Sequence, residues 1–271
     1  MNLVITELSD RQFKKVSDIV YRECGINLKS GKEALVRARL TKRLRALKMK
    51  GFKEYIKYLE SDNGRQELGR MIDVMTTNKT SFFREVAHFD FLREKIFPKL
   101  TDKRMRFWSA ACSSGEEPFS LAMLLLDSVP RIASNNIKIL ATDISPTILG
   151  KARQAIYGKG TLQDLPSGFL RKYFVKVRNE GSQAYQVNSD VRRMVRLARL
   201  NLMDSWPMKG PFNVIFCRNV MIYFDRATQE KLINRFWGLL GSGGYLFVGH
   251  SEGMSGIKHK FQYVQPATYM K

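Results

Sequence analysis

From residue 104 onward, short and nearly uninterrupted apolar runs alternate with helix-like segments, and this rhythm constrains the fold more than any other feature of the chain. MRFWSAAC (105–112), IKILATD (137–143), FNVIFCRN (212–219) and GGYLFVGH (243–250) each read as a strand apolar on both faces. Strands without a polar face must be covered on both sides, which predicts a parallel sheet flanked by helices. The intervening helices are PFSLAMLLLDSV, a segment from Ser145, and one near Ala227–Leu240. Residues 156–200 break the rhythm, because YFVKVRN, AYQV and VRLARL are short strand-like pieces set around turns. They predict a small antiparallel insertion at about 156–195, ending in a sheet strand near Arg196–Leu200.

The first seventy-five residues carry helical periodicity alone. Ser9 with Gln12, and Ser30 with Glu33, both fit the capping box, in which a hydroxyl accepts the N3 amide and the N3 side chain reaches back. Phe13, Val16, Ile19 and Val20 then recur at helical spacing up to Gly25, and Val36, Leu40, Leu44 and Leu47 form a second stripe. Shorter helices are expected over Phe52–Glu60 and Arg65–Met75. The pattern divides the chain into an all-α N-terminal domain at 1–78, a linker and helix at 79–103, and the sheet domain at 104–271.

Apolar residues are 44% and charged residues 26% of the 271, so the chain has the composition of a folded protein. Its 46 Lys+Arg against 25 Asp+Glu leave a net charge of +21, which calls for an anionic partner without saying which. The longest apolar stretch, 121–126, is far short of the roughly 20 residues that span a bilayer, so no membrane insertion is expected. The N-terminus has neither the basic nor the apolar region of a secretory signal, which predicts a cytoplasmic protein. Cys24, Cys112 and Cys217 are widely spaced and suit reduced, buried thiols. His88, His250 and His259 show no ligand-like spacing, so no metal site is expected.

Ligands of open α/β sheets bind beyond the carboxyl ends of the strands. The turn after the first strand is CSSGEEP (112–118), with Gly115 free to adopt unusual backbone angles and Pro118 suited to a first helical turn. It is not a dinucleotide fingerprint, and Glu116 and Glu117 would repel a pyrophosphate at that helix start. A ligand without phosphates, or with a positive centre, fits better; alternatively the two acids only favour the helix dipole. Asp143 ends the second strand, where an acid either accepts the hydroxyls of a ribose or caps the next helix. Asn201, Arg218 and Asn219 follow two further strands, so polar groups from several strand ends are placed to converge.

TTNKTSFFRE (76–85), WSAACSSGEEP (108–118), ATDIS (141–145), NLMD (201–204), FCRNVMIYFD (216–225) and GHSE (249–252), in this order, resemble the CheR chemotaxis receptor methyltransferases. The resemblance spans nearly the whole chain. It implies a class I S-adenosylmethionine methyltransferase, with a Rossmann-like sheet, an antiparallel β insertion and an all-α N-terminal domain. Such an enzyme esterifies glutamate side chains of chemoreceptors and leaves S-adenosylhomocysteine. Carried over by residue, Asn78, Thr80 and Arg84 belong to a loop over the cofactor, Glu117 and Asp143 to its methionine and ribose portions, and Asn201, Leu202, Arg218 and Asn219 to the remaining wall. Arg84 and Tyr223 are the positions associated with orienting the substrate carboxylate; Tyr223 also reads as a core aromatic beside Phe224. The turn is SSG where many members have STG.

The residue types suit this chemistry. A glutamate side chain, with a pKa near 4.3, is already an anionic nucleophile at neutral pH and needs no general base. The enzyme must supply alignment, and such positioning reaches effective molarities of ~10⁵ M or more. A nucleic-acid methyltransferase is the main competing class, but the polar–Pro–Pro–aromatic loop expected for a flipped base is missing, and Cys217 lies within an apolar strand. A non-catalytic scaffold for acidic helices is the third. No nucleic-acid partner is therefore expected, and a monomer is. Between Lys29 and Lys50 stand nine Lys+Arg and one acid, Glu33. With the apolar stripe confined to about 80° of the helix, Arg37, Arg39, Lys42, Arg43 and Arg45 are expected to dock the acidic cytoplasmic helices of receptors.

Overall fold

The computed structural model describes residues 7–99, 105–129 and 137–271. The chain forms two compact units. One comprises the residues up to Thr77 together with Tyr223–Thr228, and the other comprises Asn78–Ile222 and Gln229–Lys271.

The N-terminal unit is built on four helices, α1 (Asp10–Cys24), α2 (Glu33–Ala46), α3 (Phe52–Leu59) and α4 (Arg65–Met75). The first forms the expected capping box: Gln12 donates its backbone N–H to Ser9 Oγ, and Ser9 N–H donates to Gln12 Oε1. Gly25 stops it in the left-handed conformation, at φ 74°. The second box does not form. Helix α2 starts at Glu33 with Lys32 as its cap residue, and Glu33 Oε1 accepts instead from Gly31 N–H at 3.1 Å. Gly31, at φ 89°, puts a turn between Ser30 and the helix, so the Ser30 hydroxyl is two residues too early to cap it. Val36, Leu40 and Leu44 are fully buried, as the stripe requires, together with Val16, Val20, Phe52 and Tyr55.

The second unit carries α5 (Ala87–Phe91), α6 (Glu116–Ser128), α7 (Pro146–Gln154), α8 (Phe169–Tyr173), α9 (Ser189–Met194) and most of α10 (Arg226–Leu239) around two sheets. Its strands are β1 (Met105–Ala110), β2 (Ile137–Asp143), β3 (Ile156–Gly158), β4 (Phe174–Asn179), β5 (Ser182–Val187), β6 (Val195–Arg199), β7 (Phe212–Cys217), β8 (Leu240–Val248), β9 (Gln262–Gln265) and β10 (Thr268–Met270). The seven-stranded sheet runs β6-β2-β1-β7-β8-β10-β9. Its first five strands are parallel, with Phe107 opposite both Ile139 and Val214, whereas β10 is antiparallel to β8 and to β9. This C-terminal hairpin departs from the wholly parallel sheet that the apolar runs suggest, because QYVQ and TYM are too short and too polar to announce it.

The insertion forms a separate antiparallel sheet, β3-β5-β4. Its hairpin turns at Glu180-Gly181, at φ 49° and 78°, the left-handed pair that a tight two-residue turn prefers. In the main sheet the chain builds outward from β1 to β2 and β6, then returns to place β7 on the other side of β1. The topological switch point therefore lies between β1 and β7, and a ligand crevice belongs at their carboxyl ends.

Candidate active site

At the end of β1 the chain makes a turn that few sequences tolerate. Ala111, Ser113 and Gly115 all have positive φ, with Gly115 at 99°. A Cβ on Gly115 would come within 2.9 Å of the Phe119 ring and 3.1 Å of the Tyr157 hydroxyl. The glycine thus serves backbone geometry and close packing against the insertion. Ser113 N–H donates to Asp143 Oδ2 at 2.9 Å, while Ser113 Oγ donates to the Asn78 carbonyl at 3.0 Å. Two strand ends and the 78–85 segment are brought together by one serine. Asp143 is buried and also accepts Ser145 N–H at 3.0 Å; the cap of α7 is Ser145, whose Oγ accepts from Ile148 N–H.

Across the switch point the site is held by charge. Arg218, at the end of β7, has a side chain 1% exposed and two carboxylate partners: Glu117 Oε2 at 2.9 Å and Glu85 Oε2 at 3.0 Å. Its Nη2 also donates to the Arg84 carbonyl, and its guanidinium stands over the rings of Phe89 and Phe216. Glu117 is held from its other side by Ser109 Oγ at 2.7 Å. Burial pushes the Glu85 carboxyl up, but the charge and hydrogen bond of Arg218, with hydrogen bonds from Asn219 and the His250 backbone, outweigh it and hold its pKa below the ordinary range. Glu116 differs: it is buried against Ser114 Oγ, and desolvation holds its carboxyl above the usual range.

Asn219, at φ 58°, donates its backbone N–H to Glu252 Oε2 at 2.6 Å and its Nδ2 to Glu85 at 3.2 Å. Glu252 also accepts from Gly249 and Ile222, so three backbone donors converge on one buried carboxylate. Gly249 is obligatory, since a Cβ there would lie 2.7 Å from both Asn219 Nδ2 and Glu252 Oε2. Asn201 closes a turn over Leu202, accepting Met203 N–H at 3.1 Å and donating to Asp204 at 3.1 Å. Arg235 clamps that turn from α10: it donates to the carbonyls of Leu202 and Asp204 and stacks 3.7 Å over Trp206. Thr80 is half-buried in the 78–85 segment, which is anchored by buried Phe82 and Phe83 and by Phe83 N–H donating to Ser120 Oγ.

Asn78, Thr80, Arg84, Glu117, Asp143, Asn201, Leu202, Arg218 and Asn219 all fall within the sheet unit, on the 78–85 segment or beyond the carboxyl ends of β1, β2, β6 and β7. Tyr223 does not: it belongs to the N-terminal unit, where its carbonyl accepts Asn27 N–H at 2.8 Å and the neighbouring Asp225 accepts the Tyr21 hydroxyl. Glu85, Glu252 and Arg235 escape a reading of residue types alone. The signal for the first two lay in the FFRE and GHSE runs, since a buried arginine and a strained asparagine both need acids.

The cations of α2 fall into two sets. Arg43 is 18% exposed and forms a double hydrogen bond to Glu67, itself 2% exposed, at 2.8 and 2.6 Å, with the Tyr55 hydroxyl completing the cluster. Arg39 donates to the Met75 carbonyl, at the end of α4, and to Thr77 Oγ1. Both arginines are thus tied into the domain, because α4 supplies an acid and free carbonyls where the helix alone would leave them in water. Arg37, Lys42 and Arg45 remain exposed or half-exposed; Arg37 makes a long contact of 3.5 Å to Glu7.

An acid at β2, an acid beyond β1 without a phosphate cradle, and a parallel sheet ending in an antiparallel hairpin suit a class I S-adenosylmethionine-dependent methyltransferase, and the family match bears this class out. The donor set fits a phosphate-free, cationic ligand. Residues 78–270 match the family described as CheR methyltransferase, SAM binding domain, and residues 11–76 match CheR methyltransferase, all-alpha domain. The chain is 43% identical over 279 residues to the chemotaxis protein methyltransferase of Borreliella burgdorferi, covering 100% of this chain and 97% of that one. It is 43% identical over 257 residues to a probable chemotaxis protein methyltransferase of Rhizobium etli (93% and 96%), and 40% identical over 255 residues to that of Escherichia coli (94% and 88%). The chain belongs to the CheR family of chemotaxis methyltransferases.

Proposed function

We propose that this enzyme transfers the methyl group of S-adenosylmethionine to glutamate carboxylates on the cytoplasmic helices of chemoreceptors, acting as a cytoplasmic monomer. The observation that carries the choice of a carboxylate substrate is the contrast between two arginines. Arg218 is surrounded by acids, whereas Arg84 donates to the Lys79 carbonyl at 2.9 Å and has no carboxylate within ion-pair distance among the described residues. A half-buried guanidinium without an acid is suited to receive one from outside.

S-adenosylmethionine, when bound, supplies an electrophilic methyl group on a sulfonium. Asn78, Thr80, Arg84, Glu117, Asp143, Asn201, Leu202, Arg218 and Asn219 are the residues assigned to hold it, with Asp143 toward the ribose and Glu117 toward the methionine portion. Arg84 grips one oxygen of the incoming carboxylate and leaves the other free to attack. Tyr223 is assigned the second orienting contact, as a neutral hydrogen-bond donor. No proton has to move, because the nucleophile is ionised at neutral pH. Arg37, Lys42 and Arg45 steer acidic receptor helices to the protein.

Incubation with radiolabelled cofactor and receptor protein tests the reading. Label released as methanol by mild base identifies a glutamate ester. Label stable to base, or transferred to RNA instead, excludes it. Titration with S-adenosylhomocysteine separates an enzyme from a scaffold, since a scaffold would not bind it.

A further inference from the structure

His88 is the one histidine of the described residues that is fully buried, and neither of its ring nitrogens has a hydrogen-bond partner. Buried polar atoms are nearly always paired, so such a group needs an explanation. Its Nδ1 lies 3.6 Å from Glu85 Oε2, and His250 Nε2 lies 3.9 Å from the same oxygen. The three donor atoms all fall within 4.8 Å of one another. We infer that Glu85, His88 and His250 form a binding site for a divalent transition-metal ion of the Zn²⁺ type, and that occupancy competes with the Glu85–Arg218 ion pair.

The local backbone makes the cluster. Glu85, at φ 58°, begins a turn whose carbonyl accepts His88 N–H at 3.1 Å, which sets the two side chains three residues apart on one side. His250 follows Gly249, which Glu252 fixes. The distances suit the inference: zinc bonds of about 2.0–2.2 Å place neighbouring tetrahedral ligands about 3.3–3.5 Å apart, so the two histidine–glutamate separations need contract only slightly. His88 is fully buried and neither ring nitrogen is engaged in a hydrogen bond, so no partner among the described residues competes for its lone pair. The His250 side chain is 52% exposed and provides both an entry route and room for a water or other fourth ligand.

Two imidazoles and one carboxylate favour borderline cations, whereas Mg²⁺ and Ca²⁺ want a shell of oxygens that is not present here. Arg218 opposes any cation, since its Nη2 already holds Glu85 Oε2 at 3.0 Å. A bound metal must draw that oxygen away and leave Arg218 with Glu117 and the Arg84 carbonyl. Because Glu85 also holds Asn219, the segment carrying Arg84 would shift and methyl transfer would slow. This last step rests on the reading of Arg84 as part of the active site; the metal binding does not.

The test uses the full-length protein and two measurements. Equilibrium dialysis should find one Zn²⁺ per chain, with affinity lowered about tenfold or more in His250→Ala and unaffected by excess Mg²⁺. Co²⁺ should give the visible absorption of a nitrogen- and oxygen-ligated ion, lost in the same variant. Absence of stoichiometric binding at micromolar Zn²⁺, retention of full affinity by His250→Ala, or a thiolate-to-cobalt charge-transfer band from the cysteines would each overturn the site. His250 lies outside the machinery assigned above, so the variant should keep its basal methyl transfer while resisting inhibition by Zn²⁺. Wild-type enzyme that binds Zn²⁺ at this site with no loss of rate would leave the site standing and overturn the competition with Arg218.

Discussion

Arg84 and Arg218, 134 residues apart in the chain, meet at one hydrogen bond and differ in what surrounds their guanidinium groups. Arg218 is enclosed by Glu85 and Glu117 and ties β7 to the helix after β1 and to the backbone of Arg84. Removing one partner of a buried pair typically costs about 3–5 kcal/mol, so Arg218 is a structural residue, whatever it also contributes to the proposed cofactor site. Arg84→Ala should instead leave folding intact and lower kcat by about 10², the scale of lost alignment, with the cofactor dissociation constant changing much less; steady-state kinetics beside calorimetry separates the two. Asp143→Ala should weaken S-adenosylhomocysteine binding by about 1–3 kcal/mol, several-fold to a hundredfold, and calorimetry reads this directly. Glu85 carries a pH signature. Its folded pKa is depressed, so its stabilisation is complete above the unfolded value near 4.3 and is lost as pH falls through the folded one. Melting temperatures of wild type and Glu85→Gln should therefore differ at pH 7 and converge toward pH 3.

At the level of elements, helix α2 divides its cations into two sets that a charge count merges. Arg43 is bound to Glu67 on α4, and Arg45 is exposed. Arg43→Glu should put two acids face to face in a buried site and collapse the N-terminal melting transition. Lys42→Glu with Arg45→Glu should leave that transition unchanged and raise KM for receptor several-fold. Thermal unfolding beside methylation of intact receptor distinguishes them. The same helix shows what was legible in the sequence. Val36, Leu40 and Leu44 could be assigned to the core from spacing alone, because burial of a stripe is decided by the helix's own period. The fate of a residue flanking the stripe depends on what another helix offers, and Glu67 is distant in sequence. The strand ends obey the same division. Asp143, Asn201 and Arg218 could be placed at carboxyl ends from runs of apolar residues, but the bonds from Asp143 to Ser113, from Arg218 to Glu85 and from Asn219 to Glu252 depend on turns of positive φ that residue type does not encode. His88 and His250 lie far apart in sequence, and only the chain's return through β8 brings their rings to 5.1 Å.

For the molecule as a whole, a net charge of +21 acts beyond any single contact. Long-range attraction of this kind speeds encounter with an acidic partner and is screened within about 10 Å at 0.1 M salt. KM for receptor should therefore rise with ionic strength in the wild type, and the Lys42 and Arg45 reversals should flatten that dependence; initial rates at several salt concentrations check it. The division of the chain has a different consequence. Tyr223–Thr228 come from the middle of the methyltransferase sequence yet belong to the N-terminal unit, where they accept the Asn27 amide and the Tyr21 hydroxyl. A cut at Thr77 therefore does not by itself delimit the N-terminal unit. Recombination that exchanged the helical domain at that point would deliver a bundle lacking a piece of itself. The two domains are expected to be inherited as one unit, and a chimera should fold only when its residues 223–228 share a parent with its first seventy-seven.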